Sequence, residues 1–111
     1  MSEWQRISVE QMDQLMTDMN MLALDIRDTK SYLLGHFPNA LHLDNSNIRA
    51  ILKNTSKELP ILIYCYHGNA SQEMAQLFAD FGFNNCYSLD GGYEAWMQSI
   101  EQRWHPAASV A

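Results

Sequence analysis

The chain has 111 residues and a mass of 12.8 kDa, the size of one domain. Hydrophobic residues make up 47% and charged residues 18%, enough apolar matter for a core, which excludes disorder as the main state. Thirteen acidic against seven basic side chains leave a net charge of −6 and a pI near 4.9. With no basic stripe, the chain is not expected to bind nucleic acid or an anionic membrane. No apolar run is long enough for a membrane-spanning helix. The opening residues, Met1-Ser2-Glu3-Trp4-Gln5-Arg6, lack the basic and then apolar order of a signal peptide. A single domain over 1–111 is therefore expected in the cytoplasm, with its core at about 6–104 and a loose tail at 105–111. In that reducing compartment Cys65 and Cys86 are expected to be free thiols, and their separation fits no zinc or Cys-x-x-Cys pattern.

Ser8 and Gln11 form a capping-box pair, and the helix they open carries Met12, Leu15, Met16 and Met19 at spacings of three and four, a core-facing stripe. Residues 21–26 read as a buried strand. Asp28-Thr29 starts a short helix over 30–34 that Gly35 stops. A second strand is expected at 40–43. Asn45-Ser46 is expected to cap a helix that carries Ile48, Ile51 and Leu52 and ends near Asn54. Pro60 leads into the clearest strand, 61–64, followed by a helix over 71–81 and a strand over 85–89. Asp90-Gly91-Gly92 then turns into a last helix over 93–102. Strands alternating with helices indicate an α/β fold with a parallel sheet covered on both faces.

The chemistry concentrates in Tyr64-Cys65-Tyr66-His67-Gly68-Asn69-Ala70-Ser71. Cys65 ends an apolar strand, and ligands of open α/β sheets bind beyond the carboxyl ends of the strands. Gly68 and Asn69 tolerate positive φ, so the loop can curl its backbone N–H groups toward one point and form an anion nest. The next helix adds the free N–H groups and positive dipole end of its first turn. A sulfur at that focus ionises below the usual thiol range and becomes a nucleophile. The residues alone leave open the alternative of a strand-end cysteine packed in the core.

This loop resembles the active-site loop of the rhodanese family, and three further segments resemble that family in order. They are Asp25-Ile26-Arg27-Asp28, Gly35-His36-Phe37-Pro38-Asn39-Ala40-Leu41-His42-Leu43, and Asp90-Gly91-Gly92-Tyr93-Glu94-Ala95-Trp96. Together they cover the chain from the first helix to Trp96. The resemblance implies a three-layer α/β/α sandwich of five mainly parallel strands ordered 3-2-4-5-1. It also implies an enzyme that moves one sulfane sulfur atom. The Cys65 thiolate takes the outer sulfur of thiosulfate, sulfite leaves, and the Cys65 persulfide passes its sulfur to cyanide or to a dithiol such as dihydrolipoate or reduced thioredoxin. Ping-pong kinetics follow, and neither a metal nor an organic cofactor is called for.

On this reading the backbone N–H groups of Tyr66, His67, Gly68, Asn69, Ala70 and Ser71 cradle the sulfur, and the Ser71 hydroxyl caps the helix or donates to it. His67 either adds partial positive charge or stands idle in solvent. Asp25 and Arg27 are expected to tie strand ends through a partly buried ion pair. Asp90 is expected to cap the last helix or bond the neighbouring loop, and Gly91-Gly92 to supply the turn. His36 and His42 fit no metal-ligand spacing, and Trp96 and Cys86 are expected in the core, with Cys86 too far from Cys65 for a disulfide. Thiosulfate is a dianion meeting an acidic chain, so weak binding is expected, helped at low salt if Arg27 or Lys30 lies near the mouth. The Cys65 thiol is taken as exposed in its loop, so replacing it with serine should leave the thermal transition nearly unchanged. Two alternatives share the fold. One is a persulfide carrier loaded by a partner enzyme. The other is a cysteine phosphatase or arsenate reductase, which needs an Arg at the position that Ser71 occupies.

Overall fold

A computed structural model describes residues 3–18 and 20–104, the side chains of 17, 18, 103 and 104 excepted. Among these residues five strands form one sheet in the order β1-β5-β4-β2-β3, which from the other edge is the expected 3-2-4-5-1. They are β1 (Gln5–Ile7), β2 (Leu22–Asp25), β3 (Leu41–His42), β4 (Ile61–Tyr64) and β5 (Cys86–Leu89), and every neighbouring pair is parallel. Among the described residues four helices connect them, α1 (Val9–Asp18), α2 (Thr29–Leu34), α3 (Ile48–Asn54) and α4 (Ala70–Asp80), and α5 (Gly92–Trp104) follows the last strand.

The side-chain alternation of the central strands divides the core into two layers. Leu24, Ile61, Ile63 and Cys86 pack on one face with Leu52 of α3 and Ala75, Phe78 and Ala79 of α4. Ala23, Leu62, Tyr64 and Leu89 pack on the other with Val9 and Met12 of α1 and with Tyr93 and Trp96 of α5. Trp96 is thus a packing residue, its ring 4.2 Å from that of Phe37. All four residues of β4 are buried, which explains why that segment is apolar throughout rather than alternating. No helix is long and apolar enough to cross a membrane among the described residues.

Local signals set most element boundaries. Ser8 and Gln11 bond reciprocally, each backbone N–H to the other's side-chain oxygen at 2.9 and 3.2 Å, and open α1. Asp28 caps α2 by accepting from the Ser31 N–H. The start of α3 differs from expectation. Its N-cap is Asn47, and the Asp44 carboxylate takes the Ser46 N–H at 2.8 Å, so Asp44 holds the turn and Asn45-Ser46 does not. β1 has no counterpart in the residue pattern, because two of its three side chains are exposed and Ile7 alone enters the core. The stripe position Met19 and the tail 105–111 lie outside the described residues.

The layering fixes what core substitutions cost. Replacing the fully buried Leu62 with alanine is expected to remove about 2–5 kcal/mol of stability. Leu34→Ser, at a side chain 81% exposed, is expected to change it by about 0.5 kcal/mol or less. Urea unfolding followed by circular dichroism checks both.

Candidate active site

Cys65 leaves the carboxyl end of β4, the central strand, just beyond the last pairing with β2 at Asp25 and Tyr64. The side chain is 7% exposed, so it is buried and not the exposed loop thiol expected from the sequence. Its burial is polar. The Gly68 N–H points to Sγ at 3.1 Å and the Ser71 N–H at 3.4 Å. The Ser71 hydroxyl lies 3.4 Å from the same sulfur. Burial alone would push the thiol up. The Ser71 hydroxyl and the amides of Ser71, Gly68 and His67 outweigh it and hold the thiol below its usual range. Ser71 sits in the first turn of α4, where unpaired N–H groups and the helix dipole favour an anion.

What turns these amides inward is the start of α5. The carbonyls of Cys65 and Tyr66 accept the N–H groups of Tyr93 at 2.8 Å and Glu94 at 3.1 Å. With these two carbonyls held on the α5 side, the loop turns back so that the Gly68 and Ser71 N–H groups reach the sulfur. Gly68 makes the curl at φ 95°, and a Cβ there would stand 2.8 Å from the Gly91 nitrogen. Gly92, at φ 61°, lies against the Cys65 and Tyr66 carbonyl oxygens with no room for a side chain. The Asp-Gly-Gly segment is therefore a clamp beneath the loop, more than the plain turn read from the sequence.

Ser88 of β5 was not singled out by the sequence, and it belongs to this site. Its hydroxyl is 2.7 Å from that of Ser71, and both serines are buried. When Cys65 is ionised, Ser71 donates its one proton to the sulfur and Ser88 donates to Ser71. A buried serine among the apolar residues of β5 is the signal that marks it. Gln72 was also missed; its amide donates to the Gly68 carbonyl at 2.9 Å and fixes the outer rim of the loop.

The supporting residues take more definite positions than expected. Asp25 and Arg27 form a fully buried ion pair, Nη2 to Oδ2 at 2.6 Å, with the Arg27 N–H also on Asp25 at 2.8 Å. The same Nη2 donates to the Gly35 carbonyl, and the guanidinium lies 3.8 Å from the centre of the Tyr93 ring. Arg27 thereby ties β2 to the chain before β3 and to α5. Asp90 neither caps α5 nor bonds the loop; its carboxylate takes the Arg6 Nε–H at 2.7 Å and joins β1 to the end of β5. His36 and His42 stack on Tyr32 and bond to the carbonyls of Tyr32 and Arg27. Cys86 pairs in register with Ile61 at the opposite end of the sheet, and burial pushes its thiol up to about 11. Both cysteines are free.

A cavity of about 310 Å3 opens above the sulfur, lined by Cys65, Tyr66, His67, Asn69 and Ala70 on one side and Arg27, Asp28 and Ser31 on the other. Lys30 is exposed and does not line it. The His67 ring is largely in solvent, its Nδ1 3.2 Å from the Glu94 carboxylate. The mouth thus holds an exposed carboxylate at Asp28 and a cation, Arg27, already engaged by Asp25.

The comparisons with known proteins agree with this geometry. The family described as "Rhodanese-like domain" matches residues 8–99. The chain is 44% identical over 96 residues to "Thiosulfate sulfurtransferase GlpE" of Pseudomonas entomophila (strain L48), across 86% of this chain and 87% of that protein. In fold it is similar to a rhodanese-related protein from Thermoplasma volcanium, with TM-score 0.73 and 20% identity over 86% of this chain and 92% of that one. It is likewise similar to a rhodanese-like domain protein from Staphylococcus aureus, with TM-score 0.72 and 20% identity over 83% of this chain and 90% of that one. A buried thiol ringed by amides at the end of the central strand, in a sheet of this order, stands in a chain that belongs to the rhodanese-like domain family.

Proposed function

We propose that this sulfurtransferase is a thiosulfate sulfurtransferase working through a persulfide on Cys65. The observation that carries the reading is the convergence of the Gly68 N–H, the Ser71 N–H and the Ser71 hydroxyl on one sulfur. The relative's name supplies the donor, thiosulfate. The Cys65 thiolate attacks the outer sulfur of thiosulfate, the bond between the two sulfurs breaks, and sulfite leaves with the electron pair. The charge then sits on the outer sulfur of Cys65–S–S⁻, inside the cavity lined by Tyr66, Asn69 and Ala70. Cyanide or one thiolate of a dithiol, dihydrolipoate and reduced thioredoxin being the classes implied, attacks that outer sulfur and returns Cys65 as a thiolate. Sulfite and the Cys65 thiolate are good leaving groups, so neither half-reaction needs a general acid, and His67 is left without a chemical part. Asp25, Arg27 and Asp90 brace the site and do not touch the reacting atoms. The free thiols fit work in a reducing compartment such as the cytoplasm. The absence of Lys and Arg from residues 65–71 speaks against a phosphatase, which grips its oxyanion with an Arg.

Mass spectrometry is the direct test. Thiosulfate is expected to add about 32 Da, mapping to Cys65 and removed by cyanide or dithiothreitol. Thiocyanate formation should vanish in Cys65→Ser, and an unmodified Cys65 peptide after incubation would refute the reading. A phosphatase would instead show turnover of an aryl phosphate that depends on Cys65.

The hydrogen bonds to the sulfur fix a pH dependence. The native thiol titrates below the usual range, so persulfide loading should rise with pH through that lowered value and level off above it. Ser71→Ala removes a donor to the anion, and the midpoint of Cys65 alkylation by iodoacetamide is expected to move toward that of a free cysteine. Gly92→Ala forces a methyl group into the Cys65 and Tyr66 carbonyls. Turnover is expected to fall by about a hundredfold in a chain that still unfolds cooperatively, measured by kcat/KM beside thermal melting.

A further inference from the structure

A second and larger cavity, about 740 Å3, adjoins the one above Cys65 and shares Arg27, Asp28 and Ala70 with it. The two form one trough over the carboxyl ends of the central strands. Ile26, Ile48, Met74 and Leu77 give the larger part an apolar lining and stay half-buried, short of full cover. Apolar surface gathered in a groove beside a reactive group is what a docking site offers.

The charge of the trough is one-sided. Asp28, Asp44 and Glu73 are exposed along it. Hydrogen bonds from Ser31 and Ser46 hold the Asp28 and Asp44 carboxyls below the usual range, so both stay ionised. Arg27 is the one Lys or Arg lining either cavity among the described residues, and Asp25 already engages it. His42 also faces this space, with Nδ1 3.7 Å from Asp44 and Nε2 on the Arg27 carbonyl. A small dianion finds no free cation here, whereas a positively charged chain finds three carboxylates set around apolar walls.

We propose that this trough docks a partner polypeptide, a segment with lysines or arginines around an apolar residue, which brings its own thiols to Cys65. The proposal rests on the sulfur-transfer reading above and names the class of its protein acceptor. A second copy of this chain is the poorer occupant, because two molecules of net charge −6 repel. In the transfer, one thiolate of the partner attacks the outer sulfur of the persulfide and Cys65 leaves as a thiolate. The partner's second thiol then attacks the inner sulfur of the new persulfide, closes a disulfide and expels hydrosulfide. The dithiol is oxidised and the sulfane sulfur reduced, with no further reactant.

The test compares two synthetic dithiol peptides of equal length, each with a central leucine, one rich in lysine and the other in glutamate. Discharge of the persulfidated protein should be about tenfold faster with the lysine peptide at low salt, and the gap should close near 1 M salt. Asp44→Asn/Glu73→Gln should narrow the gap while discharge by dithiothreitol stays unchanged. Glu73→Lys, at an exposed helical position, should slow the lysine peptide without disturbing the turn that Asp44 holds. Equal rates for the two peptides, or a preference that survives these variants, would overturn the proposal. So would sedimentation of the chain as a dimer that neither peptide enters. Fluorescence anisotropy with cysteine-free versions of both peptides reads docking without sulfur chemistry. Tight and selective binding there, with no persulfide from any donor, would refute the sulfur-transfer reading and leave the trough standing as a peptide site.

Discussion

A loop that aims several N–H groups at one atom must find partners for the carbonyls left on its other side. Each peptide unit carries both groups in opposed directions, and a buried carbonyl without a partner costs as much as the amide gains. Here the first turn of α5 supplies the answer. Its own N–H groups are unpaired by the geometry of a helix start, and two of them take the Cys65 and Tyr66 carbonyls. One helix start, that of α4, faces the sulfur, and the other, that of α5, faces the back of the loop. Gly68 and Gly92, both at positive φ, are where the loop and the start of α5 come too close for a Cβ. The anion nest is therefore a joint property of β4, α4 and α5, and no single segment folds it alone.

Charge is deployed sparingly in the same region. The chain stabilises its sulfur anion with amide and hydroxyl dipoles and keeps the nearest guanidinium occupied. Arg27 is buried with Asp25, stacked on Tyr93 and bonded to Gly35, so removing either ion-pair partner would strand a charge inside the protein. An Arg free to reach the sulfur would lower its pKa further, but it would also bind the product sulfite and favour oxyanions over a lone sulfur. A nest of neutral donors discriminates by size and distance instead.

Much of this was legible in the sequence because the strong signals are local. The apolar run of β4, the capping box at Ser8 and Gln11, and the Cys65 to Ser71 loop each declare themselves within a few residues. The resemblance of four ordered segments set the strand order. What the sequence hid depends on contacts between distant segments. β1 has a single buried side chain, too little for a pattern. Ser88 looks like an ordinary strand residue until β5 is laid beside β4, and Asp90 like a cap until β1 brings Arg6 to it. Cys65 looks exposed because loops usually are, yet α5 closes over its backbone. Burial and polarity went together here, and composition separates those two poorly.

The pair of serines shows why burial does not silence the thiol. In the protonated state the sulfur donates to Ser71; in the ionised state Ser71 turns its proton to the sulfur, and Ser88 fills the vacated acceptor. Both arrangements keep the sulfur and the two hydroxyls bonded in one chain, and the described residues hold no buried side-chain nitrogen or oxygen without a partner. The exchange needs a rotation of hydroxyl protons and no movement of heavy atoms. Neither serine titrates in the range where the thiol does, so this wiring adds no ionisation of its own, and the charge state of the pocket floor follows that of Cys65. A carboxylate in the place of Ser88 would have coupled the sulfur to a second titration and raised the pH at which it becomes an anion.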